Sequence, residues 1–281
     1  MIRTSKITHA VRVLFATLVG LLMAAPLFYM ITNSLMTTSQ TSDLTPQIIP
    51  DSLHFSNYSD AVSGVTQVIY SRSFINSVIF TFFVVLLQWM LCVSGGLVIA
   101  KMRFRSRGVI TALLAVSLFI PILTTLIPTF FVTLKIGIIN TYPGLIFPIV
   151  AQTGFGTLLF RQYISQIPDE LFDAARIDGA NWWTILRRMV IPLARPATGA
   201  YVAISVLTAW NMYLWPLVAA QSGNLEVLTQ TLANLGNQTF GGTHPQNIVY
   251  AAIVIVTLPM IIVFLCVQPY FIRGLTGSGV E

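Results

Sequence analysis

The sequence predicts an all-α membrane protein with six transmembrane helices. Three observations predict it: composition, six long apolar runs, and the placement of lysine and arginine. Apolar residues make up 55% of the 281 and charged residues only 9%, with a mean hydropathy of +0.79. A soluble domain carries about 25% charged residues, so this chain could not cover its own surface in water. The same numbers exclude a disordered chain, a coiled coil and a disulfide scaffold.

A helix crossing the hydrocarbon core needs about 20 mostly apolar residues. Such runs extend from Val11 to Ser34, Phe74 to Ala100, Val109 to Leu134, Tyr142 to Phe160, Pro196 to Leu217 and Asn247 to Ile272. The first also invites a secretory-signal reading, because Arg3, Lys6 and Arg12 precede it and Met23-Ala24-Ala25 lies within it. It is longer than a signal core and lacks a clean cleavage site, which favours a retained helix. The fourth is the shortest and holds Gly144, Pro148, Gly154 and Gly156. Prolines fall inside several runs, which membrane helices tolerate when neighbours satisfy the freed carbonyls. The runs do not alternate in the manner of β-barrel strands.

Lysine and arginine accumulate on the cytoplasmic side of membrane proteins. With the N-terminus inside, thirteen of the 15 fall in inside segments, leaving only Arg72 and Lys135 outside. The charge of +6 is therefore an orientation signal and not a nucleic-acid footprint. Both termini are expected in the cytoplasm, with the chain multi-pass in the cell membrane.

No Asp or Glu lies inside a proposed span, and His9, His54 and His244 sit in flanks or loops. Proton relays and membrane-embedded enzymes keep ionisable groups at membrane depth. Their lack argues against a membrane enzyme and a proton-coupled carrier; a self-sufficient secondary transporter or channel stays as the alternative. Cys92 and Cys266 sit in apolar runs with no CxxC, so no metal site is expected. The three lysines follow Ser5, Ala100 and Leu134, and none belongs to a P-loop. Energy for uphill transport would have to come from another chain.

One inside loop is long, from Arg161 to Arg195. Pro168, Asp169 and Glu170 mark a helix start. Leu171 to Ile177 forms about two turns, and Asp178-Gly179 ends them. A second amphipathic helix is expected from Asn181 to Met189, with Trp182, Trp183, Ile185, Leu186 and Met189 on its apolar face. On these features alone the loop is either an interfacial hairpin with Trp and Arg anchors or a short helix offered to a cytoplasmic partner.

The run Asp173-Ala174-Ala175, then Asp178-Gly179-Ala180, closed by Met189, Ile191 and Pro192, closely resembles the EAA motif of ABC importer permeases. Asp173 stands where that family usually has Glu, and Met189 and Ile191 replace Ile and Leu. Trp210-Asn211 with Leu214-Trp215-Pro216, and the ending Phe271-Ile272-Arg273-Gly274-Leu275, are similar to the second permease of carbohydrate importers of the maltose, trehalose and glycerol-phosphate class. The resemblance runs from Phe74 to the C-terminus. It implies an ABC transmembrane type-1 fold whose coupling helix, between helices 4 and 5, seats on a cytoplasmic ATPase dimer. It also implies a second homologous permease and an extracytoplasmic solute-binding protein, with ATP held by the partner and no cofactor here. Asp173 would make polar contact with the ATPase, Ala174, Ala175 and Ala180 would allow close packing, and Asp178-Gly179 would form the turn. The chain stops at Glu281, so no extended tail contact between the ATPases is expected.

The expected division is 1–72 for the N-terminus, first helix and outer loop, 73–272 for the permease domain and 273–281 for a short tail. Neutral hydrogen-bonders and aromatics suit hydroxyl-rich solutes, which makes Asn76, Gln88, Gln152, Trp210, Asn211 and Tyr213 candidates for the pathway. Each could equally bridge helices or sit at an interface. The scarcity of basic residues on the outer side favours a neutral sugar. The stretch from Gln221 to Gln246, rich in Gly, Asn, Gln and Thr, reads as a loop, and the resemblance places it against the binding protein. The sequons at Asn57 and Asn237 read as chance matches, and Gly95-Gly96 as a packing contact.

Overall fold

The computed structural model describes residues 6–43, 47–63, 70–240 and 245–276. Arg3, His244, Gly279, Val280 and Glu281 lie outside the described residues. In chain order the helices are α1 (Lys6–Ser34), α2 (Thr38–Thr41), α3 (Ser56–Ser63), α4 (Tyr70–Lys101), α5 (Arg107–Ser117), α6 (Ile122–Ile136), α7 (Tyr142–Val150) and α8 (Gly154–Ser165). They continue with α9 (Asp169–Ile177), α10 (Trp182–Ile185), a π turn (Leu186–Val190), α11 (Ile191–Leu193), α12 (Arg195–Trp210), α13 (Leu214–Ala219), α14 (Leu228–Phe240) and α15 (Gln246–Thr276). Among the described residues, all regular structure is helical.

The chain divides into two units, Met1–Tyr70 with Thr231–Leu258, and Ser71–Gln230 with Pro259–Glu281. In the first, Val11–Ser34 of α1 is long and apolar enough to cross a membrane and keeps most side chains exposed. Buried asparagines tie the rest of this unit together. Asn57 Nδ2 donates to the carbonyls of Ser34 and Met36, at 2.9 and 2.8 Å. Asn247 Nδ2 donates to Asn57 Oδ1 at 3.0 Å. The Asn57 sequon is therefore locked inside, away from any modifying enzyme. The Gln221–Gln246 stretch differs from its expectation as a loop, because α14 lies within it. Leu228, Thr231 and Leu235 recur at helical spacing and are buried, which outweighs the polar residues between them.

The second unit is built around α4, which runs unbroken through 32 residues. The half near Lys101 packs Cys92, Val93 and Leu97 against Phe160 and Ile164 of α8 and Ala197 and Tyr201 of α12. The half near Phe80 packs against Leu145, Ile149, Trp215 and Ala219.

The third, fourth and fifth apolar runs are not continuous helices, which corrects the expected spans. The axes of α5 and α6 differ by 107°. Pro121, at ψ 135°, starts α6 afresh, since a proline disfavours helix in the residue before it. A 46° bend separates α7 from α8, and Gln88 satisfies the freed backbone by donating to the carbonyls of Ile149 and Gln152 at 2.8 and 3.0 Å. Between α12 and α13 the helix breaks at 211–213 because the Pro216 ring would meet the Met212 carbonyl. Thr229 Oγ1 donates to that carbonyl instead, at 2.8 Å.

Candidate functional site

The segment from Asp169 to Leu193 is two helices around a tight turn. Asp169 and Glu170 occupy the first turn of α9 and Arg176 the last, each complementing the helix dipole. The helix closes in a Schellman motif. Gly179 N–H donates to the Arg176 carbonyl at 3.0 Å and Ala180 N–H to the Ala175 carbonyl at 2.9 Å. Gly179 takes φ +80°, a left-handed conformation that glycine adopts without steric cost. Asn181 then caps α10, its Oδ1 accepting from Thr184 N–H at 2.9 Å. The second helix differs from the expected Asn181–Met189 run. It changes to a π turn at Leu186, where Ile191 N–H reaches back to the Leu186 carbonyl. Pro192 lacks the donor that a regular helix would need there.

The two faces of this segment are unlike. Phe172, Ile185, Leu186 and Val190 join the core shared by α4, α8 and α12, and Ala175, Ala180, Trp182 and Met189 pack against it. On the opposite face Asp173, Ala174, Asp178 and Gly179 are exposed. So are Ile177 at 86% and Trp183 at 62%. A Cβ at Gly179 would meet no described residue beyond its chain neighbours within 4 Å. Large apolar side chains clustered around a smooth Ala-Gly turn mark an interaction surface.

Lys101, at the end of α4, clamps the segment. Its Nζ donates to the Ile167 carbonyl at 2.6 Å and pairs with Asp169 Oδ1 at 2.6 Å. It also lies 4.7 Å from the centre of the Phe172 ring. The lysine side chain is 7% exposed and the aspartate 81%. The hydrogen bond and charge of Lys101 lower the Asp169 pKa, and Arg103 adds to this. The stability linked to this carboxylate is present above its unfolded pKa and is lost as pH falls through the lowered folded value. Thermal unfolding of the wild type and Asp169→Asn is therefore expected to differ at pH 6 and to converge only well below the ordinary carboxylate pKa of about 3.9.

At the far end of α12 two adjoining cavities open, of about 370 and 330 Å³. Ile122, Ile149, Gln152, Thr208 and Met212 line both. Asn211, Tyr213 and Trp215 are among the other residues lining the first, and Gln88, Tyr201 and Ser205 among those lining the second. Among the described residues, no charged side chain lines either cavity. Trp215 is oriented by its indole N–H, which donates to the Leu145 carbonyl at 2.9 Å.

Residues 92–277 match the family described as the binding-protein-dependent transport system inner membrane component. The chain belongs to this family. It is thus a membrane transport component and has relatives across its whole length. The arabinooligosaccharides transport system permease protein AraQ of Bacillus subtilis is 32% identical over 270 residues, 95% of this chain and 94% of that one. The sn-glycerol-3-phosphate transport system permease protein UgpE of Agrobacterium fabrum is 28% identical over 282 residues, 99% of each. A solved bacterial ABC transporter involved in importing the acidic polysaccharide alginate matches with a TM-score of 0.81 at 26% identity. That match covers 96% of this chain and 100% of the other.

Of the residues expected on the permease pathway, Gln88, Gln152, Asn211 and Tyr213 come together at the two cavities. Asn76 and Trp210 do not. Asn76 is buried, its amide donates to the carbonyls of Asn224 and Glu226, and it accepts from Tyr142 Oη at 2.6 Å. Trp210 is buried edge-on to Phe74, with ring centres 5.9 Å apart. Gln88 has both amide hydrogens engaged in holding the α7–α8 break. Thr208 and Ser205 also line these cavities, and the sequence reading did not name them. They lie three and six residues before Asn211, and steps of three keep successive residues neighbours on a helix, a spacing that could have found them.

Proposed function

We propose that this chain is one of two permease subunits of an ATP-driven ABC importer for a sugar or related polyol. It forms half of the translocation pathway. The observation that carries the coupling role is the Gly179 turn, exposed on one face and fixed to the helix core on the other. In this reading six spans cross the membrane, with α5–α6 and α7–α8 each forming one bent span and α12 and α15 supplying the last two. Both termini and the 169–193 segment are cytoplasmic, as the arginine and lysine placement supports. Residues 73–272 act as the permease domain, and the ATPase dimer holds the ATP.

Asp173, Ala174, Ala175, Asp178, Gly179, Ala180 and Pro192 form the coupling element. Phe172 and Val190 share a core with Ala197 and Tyr201 of α12. A displacement of the turn by the ATPase is therefore carried along α12. Thr208 lies 11 residues beyond Ala197, about 16 Å along that helix at 1.5 Å per residue, and lines both cavities. This links ATP-driven closure to the reshaping of an uncharged, mostly apolar chamber that carries a few polar side chains. An extracytoplasmic binding protein delivers the solute, and the relatives named for arabinooligosaccharides and glycerol phosphate support this class of cargo. The uncharged chamber favours a neutral sugar, held by Gln152, Asn211 and Tyr213 with Trp215 as an aromatic wall.

The test is co-purification of the tagged chain from mild detergent. A second permease and two ATPase copies are expected; a lone chain or homo-oligomer, beside an intact control importer, would overturn the reading. Gln152→Ala is expected to slow uptake about threefold to tenfold, the worth of one hydrogen bond, with ATPase recruitment unchanged. Radiolabelled sugar uptake in whole cells measures it.

A further inference from the structure

Beside α9 lies a larger, polar cavity of about 830 Å³ between the α4–α5 connection and α9. Four cationic side chains, Lys101, Arg103, Arg107 and Arg176, face two carboxylates, Asp169 and Asp173. Lys101 and Asp169 already neutralise each other at 2.6 Å. Arg107 Nη2 is held by the Ala100 carbonyl at 3.2 Å. Arg176 stacks 5.1 Å from the Trp182 ring centre. Arg103 makes no hydrogen bond to a described residue and is exposed. Guanidinium groups converging on one space suit the oxygens of a phosphate.

A second feature adjoins it. Helix α5 begins at Arg107 and buries none of its residues. Val109, Leu113 and Val116 are 64%, 64% and 58% exposed, and their spacing sets them on one helix face. A basic pocket followed directly by a bare apolar stripe fits a ligand with a phosphate head and a hydrocarbon body. A soluble phosphate would use only the first half. We propose that this cavity seats the headgroup phosphate of an anionic membrane phospholipid, whose acyl chains lie along α5. Basic pockets at membrane-protein helix ends take such headgroups. The proposal is distinct from the coupling role given to Gly179, although Asp173 of the coupling element also lines this cavity.

Native mass spectrometry of the full chain tests it, after delipidation and titration with phosphatidylglycerol. One tightly bound lipid is expected, with affinity about tenfold weaker in Arg103→Glu, since each basic group near a membrane surface contributes measurably. Arg105→Glu, exposed in the same connection but outside the cavity, is expected to bind as wild type does. Millimolar inorganic phosphate is expected not to displace the lipid. Displacement by phosphate would make this a soluble-phosphate site, and equal loss in Arg105→Glu would reduce it to general surface charge. Expulsion of the lipid on adding the ATPase would assign the cavity to that interface. Each of these three results overturns the proposal, and none of them bears on whether Gly179→Trp loses the ATPase.

Discussion

Gly179→Trp is expected to lower sugar uptake at least about a hundredfold, while the chain still reaches the membrane and folds. Two effects act at this residue, and variants separate them. The left-handed backbone, φ +80°, costs a non-glycine residue roughly 1–2 kcal/mol. Gly179→Ala carries that cost alone, and Gly179→Asn carries less of it, because asparagine tolerates this region. Bulk is the second effect. Among the described residues, none beyond Gly179's chain neighbours lies within 4 Å of a Cβ at Gly179, so an indole there is unopposed internally and projects from the exposed face. It obstructs whatever seats on Ala174 and Ile177. Uptake and ATPase co-purification should thus fall in the order Asn, Ala, Trp, with the largest step at Trp. Retention of both by the Trp variant would show that this face is not where the ATPase docks.

The helical class and the turn at 178–179 were legible because each depends on neighbouring residues. Apolar runs long enough for a membrane declare themselves, and a glycine after an Ala-rich turn declares a left-handed cap. The breaks were half legible. Pro121 and Pro216 stood in the sequence, but a proline in a membrane run breaks the helix only where something else takes up the freed carbonyl. Thr229 does this for Met212, and it lies on a segment that reads as loop. Gln88 was marked for the solute pathway, yet its amide hydrogens hold carbonyls 61 and 64 residues away. Nothing local distinguishes a glutamine that lines a chamber from one that mends a helix break. The Lys101–Asp169 clamp was hidden for the same reason, since its partners are 68 residues apart and each read as an orientation or capping charge. Asn76 was selected by residue type, and its hydrogen bonds turn inward to the carbonyls of Asn224 and Glu226 and to Tyr142.

Gly96→Val is expected to disrupt the fold itself, whereas Gly95→Val next to it is expected to be mild. A Cβ at Gly96 would lie 2.6 Å from Phe160 Cβ, 2.9 Å from Arg161 N and 3.0 Å from the Phe160 carbonyl carbon. Two of these are backbone atoms of α8, which cannot rotate away, so α4 and α8 must separate. A Cβ at Gly95 meets only the Thr157 side chain, at 3.2 Å. Overpacking a well-packed core costs typically about 1–3 kcal/mol and occasionally more, and an obstructing backbone puts Gly96 at the upper end. The separation would open the core at Phe160, Ile164 and Cys92, which are all fully buried. That gives a direct readout in a Cys266→Ser background. Maleimide labelling of Cys92 is expected to be slow in the parent and in Gly95→Val, and at least about tenfold faster in Gly96→Val, which corresponds to about 1.4 kcal/mol of lost protection. Equal protection in both variants would mean that α4 and α8 do not approach this closely. The coupling segment would then lack its rigid seat, because Phe172, Ile185 and Val190 rest on this same core. Uptake should therefore fall with Cys92 protection across a series of Gly96 variants, even where Gly179 is intact.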